Sequence, residues 1–330
     1  MTREEALQLF LKNNGWENAE RKILAADASF RTYERLKRNE ETAVLMNAPP
    51  PENPTQFIFI DRLLENAGSR VPRIIASDLE NGFVLLEDFG DNTFSRLLNQ
   101  GHDAKDLYKQ AIKALIHMQK NIALPSDGIP SYDTEKMLFE VSLLTDWFGK
   151  YVVPNGLSDE ARAEFMAIWE PLIERIQKMP KTLVLLDFHV DNLMITPDNK
   201  CGLLDFQDGR IGPALYDLIS LIEDDRRPVD TFIQEEAKRL YFSARPELDT
   251  PENREVANII ALQRHTKVAG IFVRLCVRDG KSRYLKMLPF VWQRIESHLN
   301  NPLFGAYRDW IEKYIPLSVR RNIPVMEKQS

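Results

Sequence analysis

The sequence predicts an α+β chain of two lobes, a small β-rich lobe followed by a large helical one. Three observations predict it. Strand-like runs crowd the first ninety or so of the 330 residues. Apolar residues then recur at helical spacing almost to the end. Two short apolar runs, each ending on an acid, interrupt those helices near residues 183–206. A doubly wound parallel sheet would alternate strands and helices throughout, and this chain does not.

In order, Thr2 with Glu5 forms a capping-box pattern, and Leu7, Phe10 and Leu11 lie on one face of the helix it opens, with Gly15 as its stop. Strands are expected over 22–26, 30–36 and 42–46. Pro49-Pro50-Pro51 breaks the pattern. Phe57, Ile60, Leu63 and Leu64 make a helical stripe, and strands follow over 73–77 and 83–86. Beyond the composition shift at Glu87-Asp88-Phe89-Gly90-Asp91, helical spacing is expected through Leu107–Met118, Leu138–Phe148 and Phe165–Leu172. It returns over 214–223, 231–242, 252–278, 284–299 and 303–314. The polar tail from Arg320 is expected to be loosely ordered.

A hydrophobic fraction of 44% and a charged fraction of 28% fit an ordinary globular protein. The net charge of −6 argues against a nucleic-acid partner. No apolar run approaches the roughly 18 to 20 residues a bilayer span needs, so no membrane partner is expected. The first residues carry no signal-peptide core, and Cys201 and Cys276 read as reduced thiols; both point to the cytoplasm. The sequence does not specify an oligomeric state.

The chemistry is concentrated in Leu183-Val184-Leu185-Leu186-Asp187-Phe188-His189-Val190-Asp191-Asn192 and Gly202-Leu203-Leu204-Asp205-Phe206-Gln207. An apolar run leads to Asp187, a polar turn leads to Asn192, and another apolar run leads to Asp205. Phosphoryl transfer needs such a set: one carboxylate accepts the proton of the attacking hydroxyl, while an amide and a second carboxylate hold Mg²⁺ on the nucleotide phosphates. Asp187 is the candidate base, and Asn192 and Asp205 are the candidate metal ligands. His189 and Asp191 either brace the loop or touch the acceptor. Arg264, His265 and Lys267 lie along one helical run, with Arg264 and Lys267 on a shared face. They read as a solvated charged face or as an acceptor contact. Glu223-Asp224-Asp225 reads as solvent-facing or as a rim of the acceptor site.

The stretch Leu186-Asp187-Phe188-His189-Val190-Asp191-Asn192-Leu193-Met194, together with Leu204-Asp205-Phe206-Gln207-Asp208-Gly209-Arg210-Ile211-Gly212-Pro213 and Tyr216-Asp217-Leu218, resembles the aminoglycoside phosphotransferase family. Asp27-Ala28-Ser29-Phe30-Arg31-Thr32-Tyr33, Val44–Pro50, Leu86–Asp91, Gln263-Arg264-His265 and Gly270–Lys281 resemble one subgroup of it, the bacterial anomeric kinases of N-acetylmuramate and N-acetylglucosamine in cell-wall recycling. The resemblance covers nearly the whole chain. It implies a protein-kinase-like two-lobe fold. Residues 1–90 would form a nucleotide-binding lobe with a hinge near 87–91. Residues 91–330 would carry the catalytic loop 185–192, the metal strand 202–207 and the acceptor-binding helices. It also implies ATP and Mg²⁺ as cofactors and a sugar hydroxyl as acceptor, with Ser29, Phe30, Arg31, Glu87, Asp88 and Phe89 at the nucleotide. The sequence departs from the wider family at two places. Leu185 stands where a His is usual, and the third strand offers no Lys, leaving Arg31, Arg35 or Lys37 as the candidate cation. Those departures keep open a kinase-fold binding protein without catalysis, and within the enzymes a different acceptor, such as an aminoglycoside or a choline-like alcohol, is the alternative.

Overall fold

A computed structural model describes residues 1–26 and 31–323. In chain order the elements are α1 (Arg3–Asn13), β1 (Glu20–Ala26), β2 (Thr32–Arg38), β3 (Glu41–Asn47), α2 (Thr55–Asn66), β4 (Ile74–Asp78), β5 (Phe83–Glu87), α3 (Phe94–Asn99) and α4 (Ala104–Asn121). Then come α5 (Thr134–Leu143), which runs on through a π-helical turn (Leu144–Gly149), α6 (Asp159–Gln177), β6 (Lys181–Val184), β7 (Leu193–Ile195), β8 (Cys201–Leu203) and β9 (Arg210–Pro213). The last stretch is helical: α7 (Tyr216–Ile222), α8 (Thr231–Ala244), α9 (Pro251–Val277), α10 (Leu288–His298), α11 (Gly305–Tyr314) and α12 (Leu317–Arg321). Contacts divide the chain into two compact units, one of Met1–Ser126 with Leu185–Gly209, the other of Asp127–Val184 with the chain from Arg210.

In the first unit a five-stranded antiparallel sheet runs in the order β1-β2-β3-β5-β4. The Thr2–Glu5 capping box starts α1, and the helix buries Leu7, Phe10 and Leu11 against Leu36, Leu45, Phe83 and Leu85 of the sheet. Fully burying such a side chain contributes about 1.5–3 kcal/mol, so this one helix face secures one side of the sheet. The β7–β8 hairpin pairs Leu193 with Leu203. A bridge between Arg70 and Gly202 and another between Thr93 and Met194 tie it to the rest of the unit.

The second unit is built on α9. Thr250 caps it and Pro251 opens its first turn, where a missing N–H costs nothing. Seventeen of its 27 residues are buried, and it packs against α5, the π-helical turn, α6, α7 and α10. At Gly270 an added Cβ would stand 2.2 Å from the Leu143 carbonyl carbon and oxygen, so only glycine lets α9 lie this close to α5. β6 and β9 form a two-stranded ladder, Lys181 opposite Pro213 through Val184 opposite Arg210.

The expected elements are found with shifted ends, and three expectations need correction. The 284–299 run is not one helix: a 3-10 segment (Ser282–Met287) precedes α10, whose Pro289 is tolerated only in a first helical turn. Strand β9 went unread because Arg210-Ile211-Gly212-Pro213 contains two residues that disfavour strands. Arg320 does not begin a loose tail. It is buried, with its guanidinium on Glu296 at 2.7 Å and over the Trp292 ring.

Candidate active site

The turn after β6 presents one acid to solvent. Leu183–Leu186 and Phe188–Val190 are buried, and Asp187 between them is exposed. The reversal is made at Leu186, whose φ of 69° is left-handed. A bulky residue there costs on the order of 1–2 kcal/mol, which the burial of its own side chain must offset. Leu185, in the position of the expected His, packs into the interior at 3% exposure. Its apolar side chain supports the turn by packing.

Asn192 and Asp205 meet at the open end of the β7–β8 hairpin. Because Leu193 pairs with Leu203, the residues just outside that pair lie side by side, and Leu204 N–H donates to Asn192 O at 2.9 Å. Asn192 Nδ2 lies 3.3 Å from Asp205 Oδ2 and donates to the Asp187 carbonyl at 3.0 Å. Asp205 is also left-handed, with φ 57°, a conformation Asp tolerates better than most residues. Gln207 Nε2 donates to its other oxygen, Oδ1, at 2.7 Å. The three predicted residues are therefore one constellation. The Asn192 amide and the Asp205 carboxylate are close enough for one cation to replace the hydrogen bond between them, so the donor set fits Mg²⁺.

His189 is buried beneath this loop. Its Nδ1 accepts the Asp191 N–H at 3.3 Å, and its Nε2 lies 3.4 Å from Asn192 Nδ2. That is a bracing geometry. Asp191 is exposed beside it.

A cleft of about 460 Å³ opens over Asn192 and Asp205. Tyr33, Val44, Leu86, Met194 and Leu204 give it apolar walls, and Glu87–Asp91 form one edge. Among the described residues that line it, the cation is Arg35, opposite Val44 in the strand register. Its guanidinium reaches Asp88 (2.6 Å), Asp91 (2.9 Å) and the Gly90 carbonyl (2.8 Å). Burial works against that charge, but the bonds to Asp88 and Asp91 outweigh it and raise the Arg35 pKa. Glu87 is held by a two-pronged bond from Arg70 at 2.6 and 2.8 Å, which keeps its carboxyl below the usual range. Arg70 also covers the Phe89 ring at 4.6 Å and reaches Asp198 at 3.0 Å. The edge of the cleft is thus fixed by two arginines before any ligand arrives. Arg31 pairs with Glu52 at 3.3 Å. Ser29 and Phe30 lie outside the described residues.

The remaining predicted residues belong to the second unit and are inside it. Arg264 and Lys267 do share a face, but it is not solvated: both charges sit near the Tyr216 ring, at 5.0 and 5.9 Å, and Lys267 pairs with Glu140 at 3.1 Å. His265 is fully buried between Asp225 and Glu223. Two acids of the 223–225 run are likewise inside, not solvent-facing: Asp224 and Asp225 are 1% exposed, while Glu223 is half-buried.

A sequence profile described as the phosphotransferase enzyme family, the aminoglycoside phosphotransferase type, matches residues 20–251. The chain belongs to this family. The N-acetylmuramate/N-acetylglucosamine kinase of Pseudomonas putida is 36% identical to this phosphotransferase over 303 residues, 87% of this chain and 86% of the relative. The protein of the same description from Neisseria meningitidis is 36% identical over 276 residues, 80% of this chain and 81% of the relative. Among solved structures, a choline/ethanolamine kinase family protein from Mesorhizobium loti aligns with a TM-score of 0.65 at 12% identity, covering 97% of this chain and all of that one. An ADP-bound aminoglycoside phosphotransferase aligns with a TM-score of 0.60 at 17% identity, covering 88% and 97%. At such identities the likeness is one of fold, and the fold is the protein-kinase-like one.

Sequence reasoning named Asp187, Asn192, Asp205 and the 87–89 edge. It did not name Tyr33, Met194 or Leu204 as cleft walls. The signal for Tyr33 was present: Tyr33 and Arg35 are two apart on β2, so they share a face, while Leu36 on the other face enters the α1 core.

Proposed function

We propose that this phosphotransferase is an ATP- and Mg²⁺-dependent sugar kinase. Its acceptor would be the anomeric hydroxyl of N-acetylmuramate or N-acetylglucosamine, phosphorylated in the cytoplasm during cell-wall recycling. The observation that carries the chemistry is the exposed Asp187 joined through Asn192 to Asp205. The acceptor class rests on the two relatives at 36% identity.

In this reading, residues 1–90 with the 87–91 edge cradle the nucleotide, and Asn192 and Asp205 hold the metal. Bound Mg·ATP supplies the transferable phosphoryl group and offsets its charge. The chain's own work is positional. Asp187 orients the acceptor hydroxyl and takes its proton. An anomeric hydroxyl is more acidic than an ordinary alcohol, so a carboxylate suffices as base. His189 holds the loop so that Asp187 and Asn192 keep their spacing. The apolar walls exclude water from the base side of the cleft, and Arg35 supplies the positive charge that β3 lacks. The charged groups of Arg264, His265 and Lys267 face protein partners inside the second unit, so no acceptor contact is assigned to them.

The test is to incubate the chain with Mg·ATP and separate sugars and follow the products by phosphorus NMR. A sugar 1-phosphate formed from an N-acetylated amino sugar supports the reading. Turnover of choline or an aminoglycoside in its place changes the acceptor, and no turnover with any of them removes the enzyme reading.

A further inference from the structure

The second unit holds a cluster that the phosphoryl-transfer reading does not use. Glu223 is the C-cap residue of α7, His265 lies midway along α9, and His298 is the last residue of α10. The Nε2 atoms of His265 and His298 lie 3.1 and 3.0 Å from the same oxygen, Glu223 Oε2. One donor atom from each of the three residues lies within 4.8 Å of the others. Behind the first ring, His265 Nδ1 is 2.6 Å from Asp225 Oδ1.

Two features make this more than a buried ion pair. The first is geometry. Ligand atoms at about 2.0–2.2 Å from a tetrahedral zinc ion are separated by roughly 3.3–3.6 Å. The spacing from Glu223 to each imidazole is close to that edge, so on those two edges the ion needs only a small outward shift of Glu223. A carboxylate on the far nitrogen of a ligating imidazole is the usual outer support of such sites, because it fixes the tautomer and aims the other nitrogen's lone pair at the metal. Asp225 is in that position. The second is charge. Asp225 is 1% exposed, and its Oδ2 is buried with no hydrogen-bond partner among the described residues. Glu223 and Asp225 set two carboxylates against the imidazoles, and once the His265 proton is displaced a divalent ion offsets their charge, in addition to the part that Arg264 and Arg226 already offset at Asp225. Glu223 also lines a surface cavity of about 550 Å³ with Leu218, Phe242 and Arg254, which gives an ion a way in.

We propose that Glu223, His265 and His298 form a binding site for a zinc-class divalent ion, with Asp225 bracing His265 from behind. Two imidazoles and one carboxylate suit zinc, whereas magnesium prefers oxygen ligands. The site shares no residue with the Asn192–Asp205 pair. It joins the ends of α7 and α10 to the middle of α9, so its expected role is to lock the core of the second unit. The competing occupant is a proton. Burial lowers the pKa of His265, but Asp225 and Glu223 outweigh it and raise it to about 9, so zinc must displace that proton.

The test is a zinc titration of the full chain at pH 8 after chelation and dialysis, with metal counted by mass spectrometry. One zinc per chain is expected, retained against a hundredfold excess of magnesium. Asp225→Asn should weaken binding about 10- to 100-fold, and His298→Asn at least tenfold. Cobalt in place of zinc provides a readout that needs no variant: it should show d–d bands without a thiolate charge-transfer band. No retained metal, displacement by magnesium, a thiolate band from Cys201 or Cys276, or an unchanged affinity in a folded His298→Asn chain would each overturn the site.

Discussion

Replacing Gly202 by alanine puts a methyl group into a space that two neighbours already fill. A Cβ at that position would lie 2.6 and 2.8 Å from Phe89 Cε2 and Cδ2 and 2.7 Å from Thr196 Cγ2. Carbon contacts are comfortable at about 3.5–4.0 Å, so the shortfall is roughly 0.7–1.4 Å on two sides at once. Neither neighbour retreats freely. Phe89 is 5% exposed under the Arg70 guanidinium, and Arg70 is itself tied to Glu87 and Asp198. Thr196 is 3% exposed, and its hydroxyl donates to Asp198 and accepts the Lys200 N–H. Overpacking of this kind costs about 1–3 kcal/mol, which lowers Tm by roughly 2 to 12 °C for a unit of this size. The Phe89 side should also yield, and with it the edge of the cleft, so ATP affinity should fall several-fold together with Tm. Differential scanning fluorimetry and calorimetric titration with Mg·ATP read both effects. A Gly202→Ala chain that melts and binds nucleotide like wild type would refute the idea that this glycine sets the position of the edge.

Other residues give further expectations. Asp61 on α2 is fully buried, neither of its oxygens has a hydrogen-bond partner among the described residues, and burial, helped by Glu65, raises its pKa to about 7. Its folded pKa exceeds the ordinary 3.8, so the folded state holds the proton longer and wild-type stability falls as pH rises from about 4 to about 7. Asp61→Asn removes that loss. Urea unfolding should show the variant gaining roughly 2–3 kcal/mol on wild type between pH 5 and pH 8, and a pH-independent difference would contradict the buried, ionisable Asp61. Arg35→Met leaves Asp88, whose side chain is 5% exposed, without its ion pair. Stability should fall by about 2–4 kcal/mol and ATP binding by at least tenfold, both read in the same titrations. Asp205→Asn should raise the magnesium concentration needed for half-maximal turnover by at least tenfold while leaving the fold, followed by circular dichroism, intact.

The fold was legible because its signals are local. The Thr2–Glu5 box, the apolar face of α1 and the long α9 stripe each declare themselves within a few turns. The trio was legible because its members lie in one short stretch of chain, so spacing stands in for distance. What stayed hidden depends on partners far apart in sequence. Lys267 looks like a solvated charge until Glu140, far earlier in the chain, comes to 3.1 Å. The Glu223–Asp225 run looks like a surface acid cluster until α9 and α10 bring His265 and His298 to it. The Phe89–Gly202 contact leaves no trace in either local sequence beyond the glycine itself. β9 was missed because pairing with β6, not propensity, makes Arg210–Pro213 a strand.

The central claim is that Asp187 is the group that accepts the acceptor hydroxyl's proton while the cleft beside Asn192 and Asp205 binds nucleotide independently of it. The most direct measurement is a single-turnover assay of Asp187→Ala with labelled Mg·ATP and N-acetylglucosamine or N-acetylmuramate, paired with ATP affinity on the same preparation. Transfer should drop by about 100- to 10,000-fold with ATP affinity within a few-fold of wild type. Transfer at the wild-type rate by the variant would contradict it.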